Sequence, residues 1–574
     1  MKNKYIANIL HQLADLLEIK GENTFKVQAY RKAARTVENS RVAIAEIEDR
    51  LEELSGIGKG TAAVIREIIS IGHCKQLEEL KEQLPPDLPD LLHLPGIGPK
   101  TIATLYKQLQ ITNLNELKAA AEKQEIRSLP GFGPKKEQKI LEAIEQFSKR
   151  PERYHLHEAR RVAEKVQAYL SEMEEIERFE LAGSIRRWKE TIKDIDFVVA
   201  TRDPIVVAEK IIAIPEVRQV VGQGETKVSI VVEVEGIVMG VDIRLVRPDQ
   251  FGSALHHFTG SKEHNVRIRQ RAKQLGWKVS EYGIYDPETH QTMKFAQEAQ
   301  FFAQLGLPWI PPELREDRGE MEEAEAGRLP TLIRLEDYRG DLHLHTLYSD
   351  GTDTIYSMAK AAQERGYEYI AITDHSRSLK VAGGLSIDEV YEQWEEIEQV
   401  KRQLPGIEIL KGTEVDILPD GTLDYPDELL KEMDLVIASV HSQFHQDEKT
   451  MTRRIVKAME NPYVHIIAHP TGRLLLRRDP YEVDVDVIFR HARETGTIFE
   501  LNANPYRLDL SDELLKRAKE EYGLKFTINT DAHATEGFSQ VIFGIATARR
   551  GWLEKQDVIN TYSFHQLKNA LKKS

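Results

Sequence analysis

The sequence predicts a multidomain protein of mixed α+β and α/β class. It reads as a helical amino-terminal region, a mixed α/β domain and a carboxyl-terminal closed parallel barrel. Three observations carry this reading. The chain has 574 residues, too many for one hydrophobic core. A Gly-apolar-Gly turn recurs three times before residue 150. After residue 336, short apolar strands alternate with helical stretches, which is a βα repeat, and a closed barrel is its economical solution.

The helical region begins with Tyr5, Ile6, Ile9, Leu10, Leu13, Leu16 and Leu17 on one face of a helix. The recurring turn is Leu54-Ser55-Gly56-Ile57-Gly58, then Leu94-Pro95-Gly96-Ile97-Gly98, then Leu129-Pro130-Gly131-Phe132-Gly133. An apolar helix follows each copy, so the unit is a repeated helix–hairpin–helix. Glycine permits the tight turn and leaves backbone N–H groups uncovered. At a helix N-terminus those groups suit a phosphate oxygen. Such a turn grips a nucleic-acid backbone without reading its bases. Gly56, Gly58, Gly96, Gly98, Gly131 and Gly133 are therefore candidate DNA contacts, with Lys59, Lys100, Lys135 and Lys136 beside them.

Beyond residue 150, Phe197-Val198-Val199 and Val228 to Val234 read as strands. Gly183-Ser184-Ile185-Arg186-Arg187 precedes Asp194-Ile195-Asp196, and Asp242 follows in Val241-Asp242-Ile243-Arg244. In a strand Asp194 and Asp196 point to one face. Two such carboxylates, completed by Asp242 on a neighbouring strand, can share a pair of Mg²⁺ or Mn²⁺ ions. Such a pair can activate a 3′-hydroxyl and hold a triphosphate. Ser184 and Arg187 can donate to triphosphate oxygens.

Over residues 1–316 the chain resembles the family X DNA polymerases, the group that includes polymerase beta. Phe25 to Ala34, Gly224-Glu225-Thr226-Lys227 and Phe258-Thr259-Gly260-Ser261 are further family signatures. The resemblance implies a gap-binding helical domain over 1–82, a fingers-like hairpin domain over 83–150, a nucleotidyltransferase palm over 151–262 and a thumb over 263–316. It implies Asp194, Asp196 and Asp242 as catalytic metal ligands, Gly183, Ser184, Arg187, Asn265 and Arg269 at the incoming nucleotide, and Lys26 and Tyr30 at a 5′-phosphate. Three positions depart from the family pattern. Val64 stands where lyase members carry a Schiff-base lysine, so the usual sugar-phosphate lyase chemistry is not expected. His257 replaces a tyrosine in the nucleotide pocket, which implies altered sugar discrimination. Lys193 replaces a glycine before the first aspartate.

Glu313 to Pro330 is acidic with few large apolar groups and reads as a linker, bounded as 317–335. After it, strands end near His345, Asp374, Glu414, His441, His469, Asn502 and Asp531. Nine candidate ligands stand at or just after strand ends: His343, His345, Asp350, His375, Glu414, His441, His469, Asp531 and His533. Ligands at strand ends of a parallel barrel converge on its carboxyl-terminal face. Imidazole with carboxylate suits Mn²⁺, Zn²⁺ or Fe²⁺ better than Ca²⁺, and several such ions can activate water against a phosphoester.

This set resembles the PHP (polymerase and histidinol phosphatase) domain over 336–574, all nine motif positions being filled. The resemblance implies a distorted (β/α)7 barrel binding up to three Mn²⁺ or Zn²⁺ ions. His343, His345, Glu414 and Asp531 would hold one ion. Glu414 would bridge to a second, bound also by His441 and His469, and Asp350, His375 and His533 would hold a third. A family X core followed by a PHP domain implies gap filling in base excision repair with Mn²⁺-dependent 3′→5′ exonuclease activity. A structural barrel, a 3′-phosphatase and an AP endonuclease are the alternatives. Gapped or primer–template DNA and deoxynucleoside triphosphates are the expected partners, and a monomer is the expected state.

The net charge of −15 argues against a general nucleic-acid coat, so basic groups are expected to gather locally. No apolar run is long enough to span a bilayer. His11, Gln12 and Asp15 interrupt the amino-terminal apolar stretch, so it does not read as a signal peptide. Cys74 is the single cysteine, so a reducing cytoplasm is the expected compartment.

Overall fold

The computed structural model describes residues 3–572, except 39, 41, 43, 72–73, 86–87, 94–96 and 150–152. The chain divides into two compact units. One comprises Met1–Glu152, Val162–Ala182 and Lys193–Trp309, the other Arg153–Arg161, Gly183–Ile192 and Ile310–Ser574. This division cuts across the six segments read from the sequence. Residues 183–192, which carry the Gly-Ser motif, group with the barrel.

The helical region contains α1 (Asn3–Lys20), α2 (Thr24–Glu38), α3 (Lys59–Ile71), α4 (Lys75–Gln83), α5 (Pro99–Leu109), α6 (Leu114–Glu122) and α7 (Pro134–Lys149). The apolar stripe of α1 forms their core, with Ile6, Leu10, Leu13 and Leu17 essentially inaccessible. Each such side chain contributes about 1.5–3 kcal/mol by leaving water.

Five strands form the sheet of this unit: β1 (Ile176–Ala182), β2 (Ile195–Thr201), β3 (Val217–Gln223), β4 (Lys227–Val234) and β5 (Ile237–Val246). Their order is β1-β2-β5-β4-β3. Only β2 and β5 run parallel, which sets Asp196 directly across from Asp242. The helix Phe251–Thr259 covers one face through Phe251, Ala254 and Leu255 against Val198 and Ala200. Residues 254–316 include this helix, the helix Lys262–Gln274 and a small antiparallel sheet over residues 278–293.

The second unit holds seven parallel strands in sequence order: β6 (Gly340–Leu344), β7 (Tyr369–Ile372), β8 (Glu408–Asp416), β9 (Leu435–Ser439), β10 (Ile466–Ile467), β11 (Ile498–Asn502) and β12 (Phe526–Asn529). The buried strands carry two apolar clusters, with polar residues such as Asp341, His343, Glu414, Glu500 and Asn529 set among them. A parallel bridge between Leu344 and Ala532, where the His345 N–H donates to the Ala532 carbonyl at 2.9 Å, nearly closes the barrel. Between strands the helix signals are local. Ser386 and Glu389 form a reciprocal cap on the helix Ile387–Gln403, and Gly496 ends Val485–Thr495 at φ 69°.

The acidic stretch read as a linker is ordered structure. It contains the helix Glu320–Glu325, with Glu320, Met321 and Ala324 buried. Its charges have partners far along the chain: Glu313 accepts from Arg549 at 2.7 Å, and Arg318 donates to Asp512 at 3.0 Å. Composition suggested a solvated segment because these partners lie about two hundred residues away.

Candidate functional site

The first and third hairpin turns lie where the repeat placed them, whereas Leu94, Pro95 and Gly96 of the second fall outside the described residues. Gly56 and Gly131 adopt φ 106° and 78°, which L side chains rarely tolerate. Side chains added at Gly58, Gly98 or Gly133 would meet no atom within 4 Å. Internal packing therefore does not demand glycine at those three, and the open space lies beside the starts of α3, α5 and α7. The Gly58 N–H itself is taken by the Thr61 hydroxyl at 3.0 Å. On α2, Lys26 is exposed, whereas Tyr30 is buried and its hydroxyl donates to Gln76 at 3.1 Å. Val64 is part of the same helical core.

In the five-stranded sheet, Asp196 and Asp242 face each other across β2 and β5. Asp242 is engaged by Lys227 at 2.8 Å and by the Ser229 hydroxyl at 2.6 Å. The lysine supplies a positive charge to a carboxylate that a divalent ion could otherwise neutralise. Asp194 lies over Gly240, where any Cβ would come within 2.9 Å of its Oδ1. The ligand atoms of the three aspartates are not among the clusters close enough to hold an ion as they stand. Gly240, Ser229 and the role of Lys227 escaped sequence reasoning, because only strand register reveals which residues face an aspartate.

Gly183 follows directly on β1, whose last residue, Ala182, pairs with Asp196. Gly183 and Ser184 begin a short helical turn, Gly183–Arg186. Arg187 donates to Glu316 at 3.0 Å. Asn265 is buried; its amide N–H donates to the His257 carbonyl at 2.8 Å, and its Oδ1 is buried without a hydrogen-bond partner. His257 is buried, whereas Arg269 is exposed, although partial desolvation still lowers the pKa of its guanidinium.

At the carboxyl end of the barrel all nine predicted ligands come together around Glu414. His469 Nε2 lies 2.9 Å and His441 Nε2 3.4 Å from Glu414 Oε1. On the other oxygen, Oε2, are His343 Nε2 at 3.4 Å, His345 Nε2 at 3.6 Å and His375 Nδ1 at 2.8 Å. Asp531 Oδ1 lies 3.0 Å from His345 Nε2 and 3.6 Å from His343 Nε2. Asp350 Oδ1 is 3.3 Å from His533 Nε2 and 3.6 Å from His375 Nε2. Three overlapping groups gather their ligand atoms within 4.8 Å: His345, Asp350, His375 and His533; His343, His345 and Glu414; His375, Glu414 and His441.

These residues fit metal ions. His343 Nε2, both ring nitrogens of His345, His375 Nδ1 and His469 Nδ1 are buried without a hydrogen-bond partner. Leaving so many buried polar atoms unsatisfied is costly without a ligand. Burial alone would make Glu414 harder to ionise, yet His441, His343 and His375 hold its carboxyl well below the usual range. Burial also opposes charge on His441 and His533, but Glu414 with Asp416, and Asp350 with Asp531, push them up to about 9. At His345 burial and the neighbouring His375 outweigh the Asp531 carboxylate, and its pKa falls to about 4. The carboxylates thus draw protons onto histidines at positions a cation could take. His469 and Asp531 hold φ of 27° and 54°, a strain of about 1–3 kcal/mol each that the surrounding structure must sustain.

A further layer of carboxylates, which sequence reasoning missed as functional, orients the histidines. Glu500 accepts from His343 Nδ1 at 2.7 Å and from the His469 N–H at 2.8 Å. Asp416 pairs with His441 Nδ1 at 2.6 Å. Such partners fix ring orientation and strengthen metal binding. The available signal for Glu500 was a fully buried acid inside the apolar strand β11.

A sheet carrying paired aspartates and a barrel carrying a buried histidine–carboxylate cluster give the chain two candidate metal-binding sites. The comparisons specify the class. Residues 1–74 match a helix–hairpin–helix domain, 88–146 a SAM-like helix–hairpin–helix tandem, 254–316 the DNA polymerase beta thumb and 341–504 the PHP domain. The chain is 46% identical over 574 residues, the whole of both chains, to the DNA polymerase/3′-5′ exonuclease PolX of Bacillus subtilis (strain 168). It is 29% identical over 231 residues, 38% of this chain and 89% of the relative, to a probable phosphatase of Thermoanaerobacter sp. (strain X514). A probable phosphatase of Acetivibrio thermocellus is 32% identical over 202 residues, 34% of this chain and 78% of the relative. The chain belongs to the family X DNA polymerases that carry a carboxyl-terminal PHP domain. Among the described residues, no helix is long and apolar enough to cross a membrane.

Proposed function

We propose that this chain fills short gaps in DNA during base excision repair and hydrolyses DNA 3′ ends at the barrel. The carrying observation is Glu414, a single buried carboxylate whose two oxygens are shared among five histidines. The PolX relative, named as both a polymerase and a 3′-5′ exonuclease, supports the pairing of activities.

In the barrel, His343, His345, Glu414 and Asp531 would hold one ion, Glu414, His441 and His469 a second, and Asp350, His375 and His533 a third. Mn²⁺ or Zn²⁺ there would supply an activated water and charge stabilisation for the departing oxygen. Glu500 and Asp416 keep His343 and His441 presenting their Nε2 atoms. In the sheet, Asp194, Asp196 and Asp242 would hold Mg²⁺ or Mn²⁺ beside the primer 3′-hydroxyl. Lys227 would give up Asp242 as the cation arrives. Gly183, Ser184 and Arg187 would bind the triphosphate, Arg187 exchanging its bond to Glu316. Asn265, with its unsatisfied Oδ1, Arg269 and His257 would line the nucleotide pocket. Lys26 and Tyr30 would meet a 5′-phosphate at the gap, and the hairpin turns would grip the flanking backbone. The chain would work as a cytoplasmic monomer.

The likeness of the barrel to probable phosphatases favours one second reading, removal of a 3′-phosphate in place of a nucleotide. A 5′-labelled primer in a one-nucleotide gap, with Mn²⁺, separates these readings. Extension with the complementary nucleotide and stepwise 3′ shortening without it are expected. Release of phosphate from a 3′-phosphorylated primer without shortening would favour the phosphatase, and failure to extend under any metal would overturn the polymerase.

A further inference from the structure

The loop after β11 carries one arginine whose setting the metal cluster alone does not explain. Arg507 is held from both sides of its backbone. Its N–H donates to the Asn504 carbonyl at 2.8 Å, and its carbonyl accepts from Arg473 Nε at 3.0 Å. Arg473 is itself fixed by Glu190, with Nη1 at 3.2 Å and Nη2 at 2.5 Å. The Arg507 side chain is only 19% exposed. Its Nε stands 3.9 Å from Asp531 Oδ2, too far for a hydrogen bond. That oxygen already accepts from Asn502 at 3.1 Å. Among the described residues the guanidinium makes no hydrogen bond.

A guanidinium has five N–H donors in a planar fork. Here they point at no protein acceptor among the described residues, with only the Asp531 carboxylate close by as a counter-charge, so the fork is free to take an acceptor that arrives at the cluster. The acceptor must be anionic and must reach the cluster edge at Asp531, whose other oxygen faces His345. A phosphoryl group matches this, because one non-bridging oxygen of a diester, or two of a free phosphate, can meet the arginine fork while another faces the cluster.

We propose that Arg507 is a phosphate-binding residue of the barrel site, clamping the phosphodiester at a DNA 3′ end or the phosphate that hydrolysis releases. The inference rests on the reading of the barrel as a phosphoesterase site. Arg473, by holding the Arg507 carbonyl, is a positioning residue for it.

The test is calorimetric titration of inorganic phosphate into the full-length Mn²⁺-loaded protein, wild type against Arg507→Ala and Arg507→Lys. Metal content and melting temperature are measured on the same samples. Arg507→Ala is expected to keep its metal and its melting temperature and to bind phosphate at least about tenfold more weakly, as loss of charge-assisted hydrogen bonds implies. Arg507→Lys should recover part of that loss. The KM for 3′ shortening should rise in the same order. If Arg507→Ala fails to fold, Arg507→Gln replaces it at similar size. Unchanged phosphate affinity in a folded, metal-loaded variant would overturn the proposal, as would loss of metal, which would make Arg507 a support for Asp531. Wild-type protein that binds phosphate through Arg507 but shortens no DNA would instead sink the exonuclease reading and leave the phosphate site standing.

Discussion

Arg550 and Glu316 form a buried ion pair, Nη1 to Oε1 at 2.9 Å, inside the second unit. The same oxygen of Glu316 accepts from Arg187 at 3.0 Å, and Arg550 Nη2 reaches Asp512 at 2.7 Å. Arg550 also donates to the Arg187 carbonyl at 2.6 Å. Arg187, the residue expected at the triphosphate, is thus held by a helix of the barrel. Burial would favour neutral groups, yet Arg550 and Arg187 keep Glu316 below its usual range. Arg550→Ala removes a cation shared by two carboxylates, but Glu316 keeps Arg187 and Asp512 keeps Arg318, so the loss is about 1.5–3 kcal/mol, that of hydrogen bonds to charged groups. Calorimetry should show a lower melting temperature, while Arg550→Lys should fall between the two. A melt indistinguishable from wild type would mean that the network contributes nothing to stability.

Glu500 offers a test of how the cluster is oriented. It holds His343 through Nδ1 and the His469 backbone through N–H, and it also accepts from Asn529 at 3.0 Å. Glu500→Gln keeps the shape but cannot accept at both oxygens. Metal affinity should drop about 10–100-fold, the usual effect of removing a carboxylate behind a histidine ligand. Competition with a chromogenic chelator measures it directly. DNA extension should be unaffected, and an unchanged Mn²⁺ affinity would mean that Glu500 is only packing.

His157, which is not among the candidate ligands, supplies a pH-dependent stability term in the second unit. Its ring packs edge-on against Tyr506 at 4.8 Å and Phe543 at 6.4 Å. Burial, reinforced by His155, pushes its pKa down from 6.5 to about 4. Between those values the unfolded chain binds a proton that the folded chain refuses, so stability rises with pH and falls as pH drops from 6.5 towards 4. With solvent screening of this half-buried group, the loss is about 1–2 kcal/mol. Denaturant unfolding of wild type and His157→Phe from pH 7 to 4.5 should show the variant losing less stability. Parallel curves would rule His157 out as the source.

The parts legible in the sequence are those whose determinants are local. The α1 stripe follows from a 3.6-residue period. That the nine candidate positions would come together was readable because each stands in a short motif at or just after a strand end, and a parallel barrel brings strand ends together whatever lies between them. What stayed hidden depends on partners distant in the chain. Glu313 and Glu316 looked solvated because Arg549 and Arg550 are more than two hundred residues away. Glu500 looked like any acid in a strand until His343 was placed behind it. Lys227 belonged to a recognisable signature, but its contact with Asp242 depends on the antiparallel register of β4 and β5.

The two sites should be separable by mutation. Asp194→Ala with Asp196→Ala removes two of the three sheet carboxylates and leaves every barrel ligand in place. His343→Ala with His345→Ala removes two buried ligands of the cluster and leaves the sheet untouched. The first pair should abolish primer extension, a loss of several orders of magnitude, and spare 3′ shortening. The second should do the reverse, with bound Mn²⁺ or Zn²⁺ falling in step. The assay is the labelled gapped primer with and without the complementary nucleotide, alongside metal analysis of each protein. If the aspartate pair also removed shortening while metal content stayed intact, hydrolysis would belong to the sheet, with polymerase reversal by pyrophosphate the first explanation to exclude. If the histidine pair lost metal yet kept shortening, the barrel cluster would be structural, since its buried unsatisfied nitrogens can stabilise the fold through an ion that takes no part in chemistry.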